Sequence, residues 1–213
     1  ILPSSLGMDK FKCKTIWKSK NINTPDFIQV NNINQFKEAS NLCGIPFFLK
    51  PANSGSSIGI SIVNNKQDFI LAFEDAFKID KIVIVESLVI GREYTLPIIH
   101  NKPLSIIEIK PKRDFYDYEA KYLRDDTEFI CPADLSLGLV ENINSKCMDA
   151  FNAIGCDGWG RVDFIMDQEN KIHIIEINTV PGMTNHSLVP MSAKNIGIAF
   201  DDLAIMILET SNA

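Results

Sequence analysis

The sequence is short of several things, and each shortage removes a class of protein. No apolar run approaches the ~20 residues of a membrane-spanning helix, so no membrane partner is expected. The opening, ILPSSLGMDK, lacks a basic stretch leading into an apolar one and does not read as a secretory signal. It begins on Ile rather than Met, and the chain is expected to be part of something longer. Cysteine occurs five times, at 13, 43, 131, 147 and 156, an odd number with no Cys-x-x-Cys pair. That argues against a disulfide framework or a zinc site and for reduced thiols in a cytoplasmic protein. Basic residues are not in excess: the net charge of −6 speaks against a nucleic-acid partner. There is no internal repeat, no low-complexity tract and no Gly-Lys-Ser/Thr of a P-loop.

What remains is an ordinary globular composition, 46% hydrophobic and 23% charged over 213 residues, enough for a sizeable core in one or two domains. Residues 9–20 read as a helix, DFIQV as a short strand, and NQFKEASNLCG as a helix closed by Gly44. IPFFLKP and ISIV read as strands around the small-residue loop ANSGSSIG, followed by the amphipathic helix KQDFILAFEDAFK and the buried strand KIVIVE. Phe69, Phe73 and Phe77 are expected to form a core stripe on that helix. A second unit begins near Gly91: REYTLPII and KPLSIIEIKP flank His100-Asn101, a hairpin signal. The polar, aromatic stretch KRDFYDYEAKYLRDDTEF has loop character, and a loop this long is usually functional; residues 112–126 are expected to be the most mobile internal segment. A helix over 139–154, the strands GWGRVDFIMD and KIHIIEIN around QEN, and two final helices, LVPMSAKNIG and FDDLAIMILETS, complete an α+β chain.

The stretch HIIEINTVPGMTNHS poses the functional question, because a strand built for burial ends by carrying Glu176 and Asn178. A buried carboxylate is costly unless it is paired or bound to metal. A four-residue turn, Gln168 to Lys171, sets Asp163 opposite Glu176 and Arg161 opposite Asn178. Alternation then gathers Arg161, Asp163, Glu176 and Asn178 on one face, with Ile165, Ile172 and Ile174 on the same face nearer the turn. Two carboxylates and an amide oxygen suit a hard cation such as Mg²⁺, which completes its shell with water and phosphate. The same residues would also make an ion-pair patch on a solvated sheet. Gly182 in the Pro-Gly turn can bring a backbone N–H close to a reacting oxygen. The Gly/Ser loop can cradle phosphate with backbone N–H groups. Lys50 and Glu86 both end buried strands, where a charge needs a partner.

The motifs MDK, KPANSGSSIG, VES…GREYT, FYDYEAKY, GCDGWGRVDF and IIEINTVPGMTNHSLVP, in this order, resemble those of the D-alanine–D-alanine ligases, which are ATP-grasp enzymes. The resemblance runs from about Ser5 to about Glu209. It implies two α+β subdomains holding ATP between their sheets. Residues 1–13 would be the end of a preceding domain, 14–92 a central subdomain and 93–213 a C-terminal one, with the ATP-grasp unit as a whole at about 14–209. It implies that Lys10 and Lys50 meet the nucleotide and its phosphates, that Glu86 meets the adenine amino group beside the backbone at Leu88, and that Glu93 holds the ribose. Ser56 and Ser57 lie in the loop that closes over the phosphates. Lys121 would reach the γ-phosphate, and Tyr122 would pair with Ser56. Asp163, Glu176 and Asn178 match the ligands of two Mg²⁺ (or Mn²⁺) ions. Arg161 and the Gly182 N–H would stabilise an oxyanion, and Ser187 with the Leu188 N–H would hold the second D-alanine's carboxylate.

The implied reaction joins two D-alanines for peptidoglycan synthesis. One carboxylate takes the γ-phosphate, and the second molecule's amine then attacks the acyl phosphate, with FYDYEAKY as a lid against water. The alternatives of the same fold are a D-alanine–D-lactate ligase, against which Tyr122 speaks, and a catalytically incomplete nucleotide-binding fragment. A homodimer is expected for the full-length protein. The family's glycine-rich N-terminal domain has no counterpart here, and Ser87 and Leu88 stand where relatives often carry Lys and Trp. His173 reads as a strand residue rather than a ligand, Trp17 and Trp159 as core, and Cys156 as structural.

Overall fold

A computed structural model of the chain describes residues 1–55, 58–111, 127–184 and 186–210. Two antiparallel sheets organise it, as an α+β reading requires. The smaller sheet contains β1 (Phe27–Val30), β2 (Phe47–Pro51), β3 (Ser61–Val63) and β4 (Val83–Ser87), in the order β1-β4-β2-β3. Alternation along these strands sends Phe47, Leu49, Val63, Val83 and Val85 to one face, where α3 (Phe36–Cys43) and α4 (Lys66–Ile79) cover them. Asn65 starts α4 by accepting from the N–H groups of Gln67 and Asp68, which satisfies two of the donors that a helix start leaves orphaned.

The phenylalanine stripe on α4 is only partly core. Phe69 and Phe73 are buried, but Phe77 is 36% exposed. The reason is geometric: with 3.6 residues per turn, a spacing of four drifts around the helix, and after two steps the ring has left the buried face. That face is instead Phe69, Ala72, Phe73 and Ala76. Phe77 keeps a stacked contact with Phe73 at 5.5 Å and lies under the Lys81 ammonium at 4.1 Å.

The larger sheet runs β10-β9-β5-β7-β8, from β5 (Gly91–Ile99), β7 (Ile107–Pro111), β8 (Thr127–Ile130), β9 (Trp159–Asp167) and β10 (Ile172–Asn178), with the short β6 (Lys102–Pro103) beside β5. His100 and Asn101 both have positive φ, 49° and 56°, so the expected tight hairpin is there, between β5 and β6. One face of this sheet meets α5 (Leu137–Ala153), burying Leu96, Val162, Phe164, Ile174 and Ile177 against Ile143, Cys147 and Phe151. The same core takes Cys13 and Trp17 from α2 (Lys10–Ser19), and the Trp17 indole donates to the Ala150 carbonyl at 3.1 Å. α6 (Leu188–Asn195) and α7 (Phe200–Glu209) bury Val189, Ala193 and Leu203 against Ile99 and Leu104 in a third cluster, which Trp159 flanks half-buried. α1 (Leu2–Met8) precedes α2. Among the described residues no helix is long and apolar enough to cross a membrane.

The β9–β10 ladder departs from a simple hairpin in an instructive way. Near the turn Ile172 opposes Met166 and Ile174 opposes Phe164. The pairing then slips at a bulge between Ile174 and Glu176, beyond which Glu176 opposes Asp163 and Asn178 opposes Arg161. One extra residue in the turn and one in the bulge cancel, so the polar end has the expected register. The apolar end does not: Ile172 and Ile174 lie on the α5 face, opposite to the one expected, because the bulge changes which parity points inward. Their place beside Ile165 is taken by His173, whose Nε2 lies 2.8 Å from Asp167 Oδ2.

Candidate functional site

The face of β9 and β10 turned away from α5 carries a half-buried polar cluster centred on Asp163. Arg161, two residues along the same strand, donates from Nε to Oδ1 at 2.8 Å and from its terminal nitrogen to Oδ2 at 2.7 Å. Thr95 of β5 adds a 2.5 Å bond to Oδ1, and the Asn178 amide nitrogen one of 2.8 Å to Oδ2. A carboxylate offers about four lone-pair positions, and all four are taken. Arg161 is only 19% exposed, and its basicity is raised: desolvation opposes the charge, but Asp163, with Glu176 and Glu93 behind it, outweighs that. Glu176, cross-strand from Asp163, points to Lys10, 3.5 Å away.

Two carboxylates and an amide oxygen are hard ligands suited to Mg²⁺ or Mn²⁺. The cations Arg161 and Lys10 neutralise the two acids. Asn178 gives its NH₂ to Asp163, which leaves its oxygen directed elsewhere. The residues therefore fit a hard cation, on condition that Arg161 or Lys10 yields. Among the described residues no group of three or more His, Cys, Asp or Glu is clustered for metal.

Lys10 links this cluster to the smaller sheet, donating to the Ser54 carbonyl at 2.7 Å in the loop after β2. Behind it lies a second cluster that sequence reasoning saw only in part. Glu86 on β4 is buried and meets two ammonium groups, Lys50 of β2 at 3.0 Å through Oε1 and Lys14 of α2 at 2.6 Å through Oε2. Lys14 also donates to the Thr24 hydroxyl at 2.7 Å. Burial pushes Lys14 down to about 8 against the attraction of Glu86, while Lys50 reinforces the lowering. Glu86 lies below the ordinary carboxylate value: desolvation would raise it, and the charges of Lys14 and Lys50 prevail. Lys14 and Thr95 were not among the expected site residues. The legible signal for Lys14 was a lysine on the buried side of α2, one turn from Lys10 and one from Trp17.

The remaining expected residues are dispersed. Glu93 lies on β5 between Ile109 and Ile165, and Leu88 in the short link 88–90 that joins the two sheets, half-buried. Gly182 is exposed and close to Ser187: a Cβ placed on it would stand 3.1 Å from the Ser187 hydroxyl. Ser187 caps α6, and its hydroxyl accepts from the Thr184 N–H at 2.9 Å; Leu188 opens the helix. Ser56, Ser57, Lys121 and Tyr122, and with them the expected lid at 112–126, lie outside the described residues. Of the loop expected to cradle phosphate, the two ends are described: Asn53 bonds Asp80 through backbone and side chain, and the Ile58 N–H meets the Gly55 carbonyl.

Two antiparallel α+β units, one offering a buried lysine–glutamate cluster and the other an acid–amide–arginine cluster, with Lys10 touching both, define an ATP-grasp protein. Comparison with known proteins narrows this. The family model described as D-ala D-ala ligase C-terminus matches residues 16–209, and the chain belongs to that family. It is 42% identical over 211 residues to the D-alanine–D-alanine ligase of Nitrosomonas europaea, covering 99% of this chain and 69% of that one. The D-alanine–D-alanine ligase of Bacillus anthracis complexed with ATP superposes with a TM-score of 0.84 at 31% identity, over 99% of this chain and 68% of its own. The VanG D-Ala:D-Ser ligase of Enterococcus faecalis superposes with a TM-score of 0.86 at 30% identity, over 98% and 63%.

Proposed function

We propose that this chain is the nucleotide-binding and ligating part of an enzyme that joins two D-alanines at the expense of ATP, for cell-wall peptidoglycan. The observation that carries the reading is the Asp163 cluster: two acids, an amide and an arginine brought into register by a bulge, in a chain similar to named ligases along nearly its whole length. A D-alanine–D-lactate ligase is the less favoured reading, since the curated relatives are named for joining D-alanine to D-alanine.

The roles are those that the likeness to the family implies. Residues 14–92 form the central subdomain and 93–213 the C-terminal one, with 1–13 left from a preceding domain. Lys10 and Lys50 meet the phosphates of ATP, with Ser56, Ser57 and Lys121 closing on them, and Glu86, the Leu88 backbone and Glu93 hold adenine and ribose. Asp163, Glu176 and Asn178 would hold two Mg²⁺ (or Mn²⁺), which supply charge neutralisation at the transferring phosphoryl group. Arg161 and the Gly182 N–H stabilise negative charge at the reacting carbonyl. Ser187 and the Leu188 N–H receive the second D-alanine's carboxylate. Tyr122 and Ser56 fix the lid against water. Five free thiols and dependence on ATP fit a cytoplasmic enzyme; neither nucleic acid nor membrane has a part in the reaction, and a homodimer is the expected full-length form.

The test is product analysis of the natural gene product with ATP, Mg²⁺ and D-alanine. D-Alanyl-D-alanine and ADP in equal amounts support the reading. Absence of both, with ATP bound, would replace ligation by nucleotide binding alone.

A further inference from the structure

We propose that Lys14 is the fixed counter-ion of Glu86 and thereby sets the base specificity of the nucleotide site. The inference rests on the reading of Glu86 as the acid that meets the base. Glu86 faces two lysines that differ in what else holds them. Lys14 is fully buried, and its ammonium is also bound to Thr24, so it is tied on both sides. Lys50, at 5% exposure, has Glu86 as its ammonium's partner among the described residues and stands one residue before the end of β2, next to the loop proposed to cradle phosphate. When a polyphosphate arrives, Lys50 is the one free to turn toward it.

That division of labour solves a chemical problem. If Lys50 were the sole partner of Glu86, its departure would leave a buried carboxylate without compensation, and the acid would take up a proton. With Lys14 in place, Oε2 stays paired and Oε1 stays an anionic acceptor. An anionic acceptor binds the amino group of adenine and repels the carbonyl oxygen that inosine and guanosine carry at the same position. A protonated Glu86 would instead donate to that oxygen. Of the other ionisable groups around Glu86, Glu176 bears on Lys14 from β10, and Cys43, on α3 beside the Val85 carbonyl, is a thiol pushed up to about 11, first by burial; neither neutralises a carboxylate.

The experiment measures the binding of Mg–ATP and Mg–ITP to the 213-residue chain and to its K14M and T24V variants, by calorimetry at neutral pH. The two nucleotides share ribose and triphosphate and differ on one edge of the base, where the amino group becomes a carbonyl and N1 turns from acceptor to donor; the N1 difference is the same for every variant, so a change in the ratio reports on Glu86. The unaltered chain is expected to prefer ATP by about 10- to 100-fold, the worth of a hydrogen bond to a charged group. K14M should weaken ATP and leave ITP nearly unchanged, which collapses the ratio. T24V, which loosens Lys14 without removing its charge, should lower the ratio by a smaller factor, and carries the test alone if K14M does not fold. A merely structural lysine would weaken both nucleotides equally; an unchanged ratio in the folded variants overturns the proposal. So does an unaltered chain that binds both nucleotides equally. A chain that binds neither overturns the nucleotide reading itself, and this proposal with it.

Discussion

Asp163→Asn is the most informative single change, because its effect can be worked out bond by bond. The amide keeps one oxygen, which can still accept from Thr95 and from Arg161 Nε. The other oxygen becomes NH₂ and faces two donors, the Arg161 terminal nitrogen and the Asn178 amide, now at 2.7 and 2.8 Å. Asn178 can escape by turning over; Arg161 cannot, since every polar atom of a guanidinium is a donor. The variant therefore loses the guanidinium's second bond and leaves a largely buried cation whose nearest acid is gone. Breaking a buried pair from one side costs about 3–5 kcal/mol. With Arg161 19% and Asp163 13% exposed, water recovers part of that, and about 2–4 kcal/mol remains. At roughly 2–4 °C per kcal/mol for a chain of this size, the midpoint should fall by about 6–12 °C for a loss near 3 kcal/mol. The control is Arg161→Met, which leaves Asp163 with Thr95 and Asn178, and then the double variant. Urea unfolding of all four chains yields the coupling energy, expected at about 2 kcal/mol and favourable. A coupling below about 0.5 kcal/mol, within the scatter of independent sites, would mean that the fork between Arg161 and Asp163 does not form in solution, and the account of Asp163 as neutralised by Arg161 would go with it.

Gly91→Ala should destabilise the chain by about 1–3 kcal/mol or more, because the added Cβ would overlap the Met166 carbonyl across β5 and β9; an unchanged unfolding midpoint refutes the close approach. Glu86, lowered in the fold by Lys14 and Lys50 against desolvation, contributes stability that is present above its ordinary value of 4.5 and lost as pH falls through the folded value, so Glu86→Gln should flatten the acid limb of a stability-versus-pH curve. For Lys14 the sign is opposite: between about 8 and 10.5 the unfolded chain holds a proton that the folded chain has released, so stability rises with pH there, and Lys14→Met should abolish that rise. Alkylation of the native chain at pH 8 should mark Cys131 well before the other thiols, because desolvation pushes all five up but Cys131 alone is only half-buried, whereas Cys13, Cys43, Cys147 and Cys156 are buried; labelling of Cys13, raised to about 12, at a similar rate would show the core to be open. The 213-residue chain alone should bind Mg–ATP and form little dipeptide, a result that D-alanine-dependent ADP release at ordinary enzyme rates of ~1–10³ s⁻¹ would contradict.

How much of this was legible differs by the kind of signal. Strands and helices carried by a sustained period were readable to within a few residues: the β5–β6 hairpin announced itself by His100-Asn101, and the closing strand pair by its β-branched run. Phe77 was not, because a spacing of four looks like a stripe in the sequence and becomes a slow rotation on the helix. Lys14 was not, because a buried lysine is unfavourable on its own terms and is permitted only by Glu86, 72 positions away and on another element. Thr95 was hidden for the same reason: nothing local marks one β5 threonine as the partner of a β9 aspartate.

The β9–β10 pair shows why a right answer at a site can rest on a wrong path to it. A plain four-residue turn and a five-residue turn followed by a bulge both set Glu176 opposite Asp163, so the polar end alone cannot distinguish them. Only the apolar end does, and there the physics decides. A plain hairpin would have put Ile172 and Ile174 on the polar face and His173 into the α5 core, burying an imidazole among Val162, Phe164 and Ile143 without a partner. The bulge lets Ile172, Ile174 and Ile177 all face the core, though 174 and 177 differ in parity, and delivers Glu176 and Asn178 outward together. It also lets Asn23 seal this sheet edge, accepting the Ile174 N–H at 3.0 Å and donating to the Ile172 carbonyl at 2.7 Å. The irregularity thus reconciles two demands that strict alternation cannot meet in one strand: continuous burial on one side and a pair of oxygen donors, one residue apart, on the other.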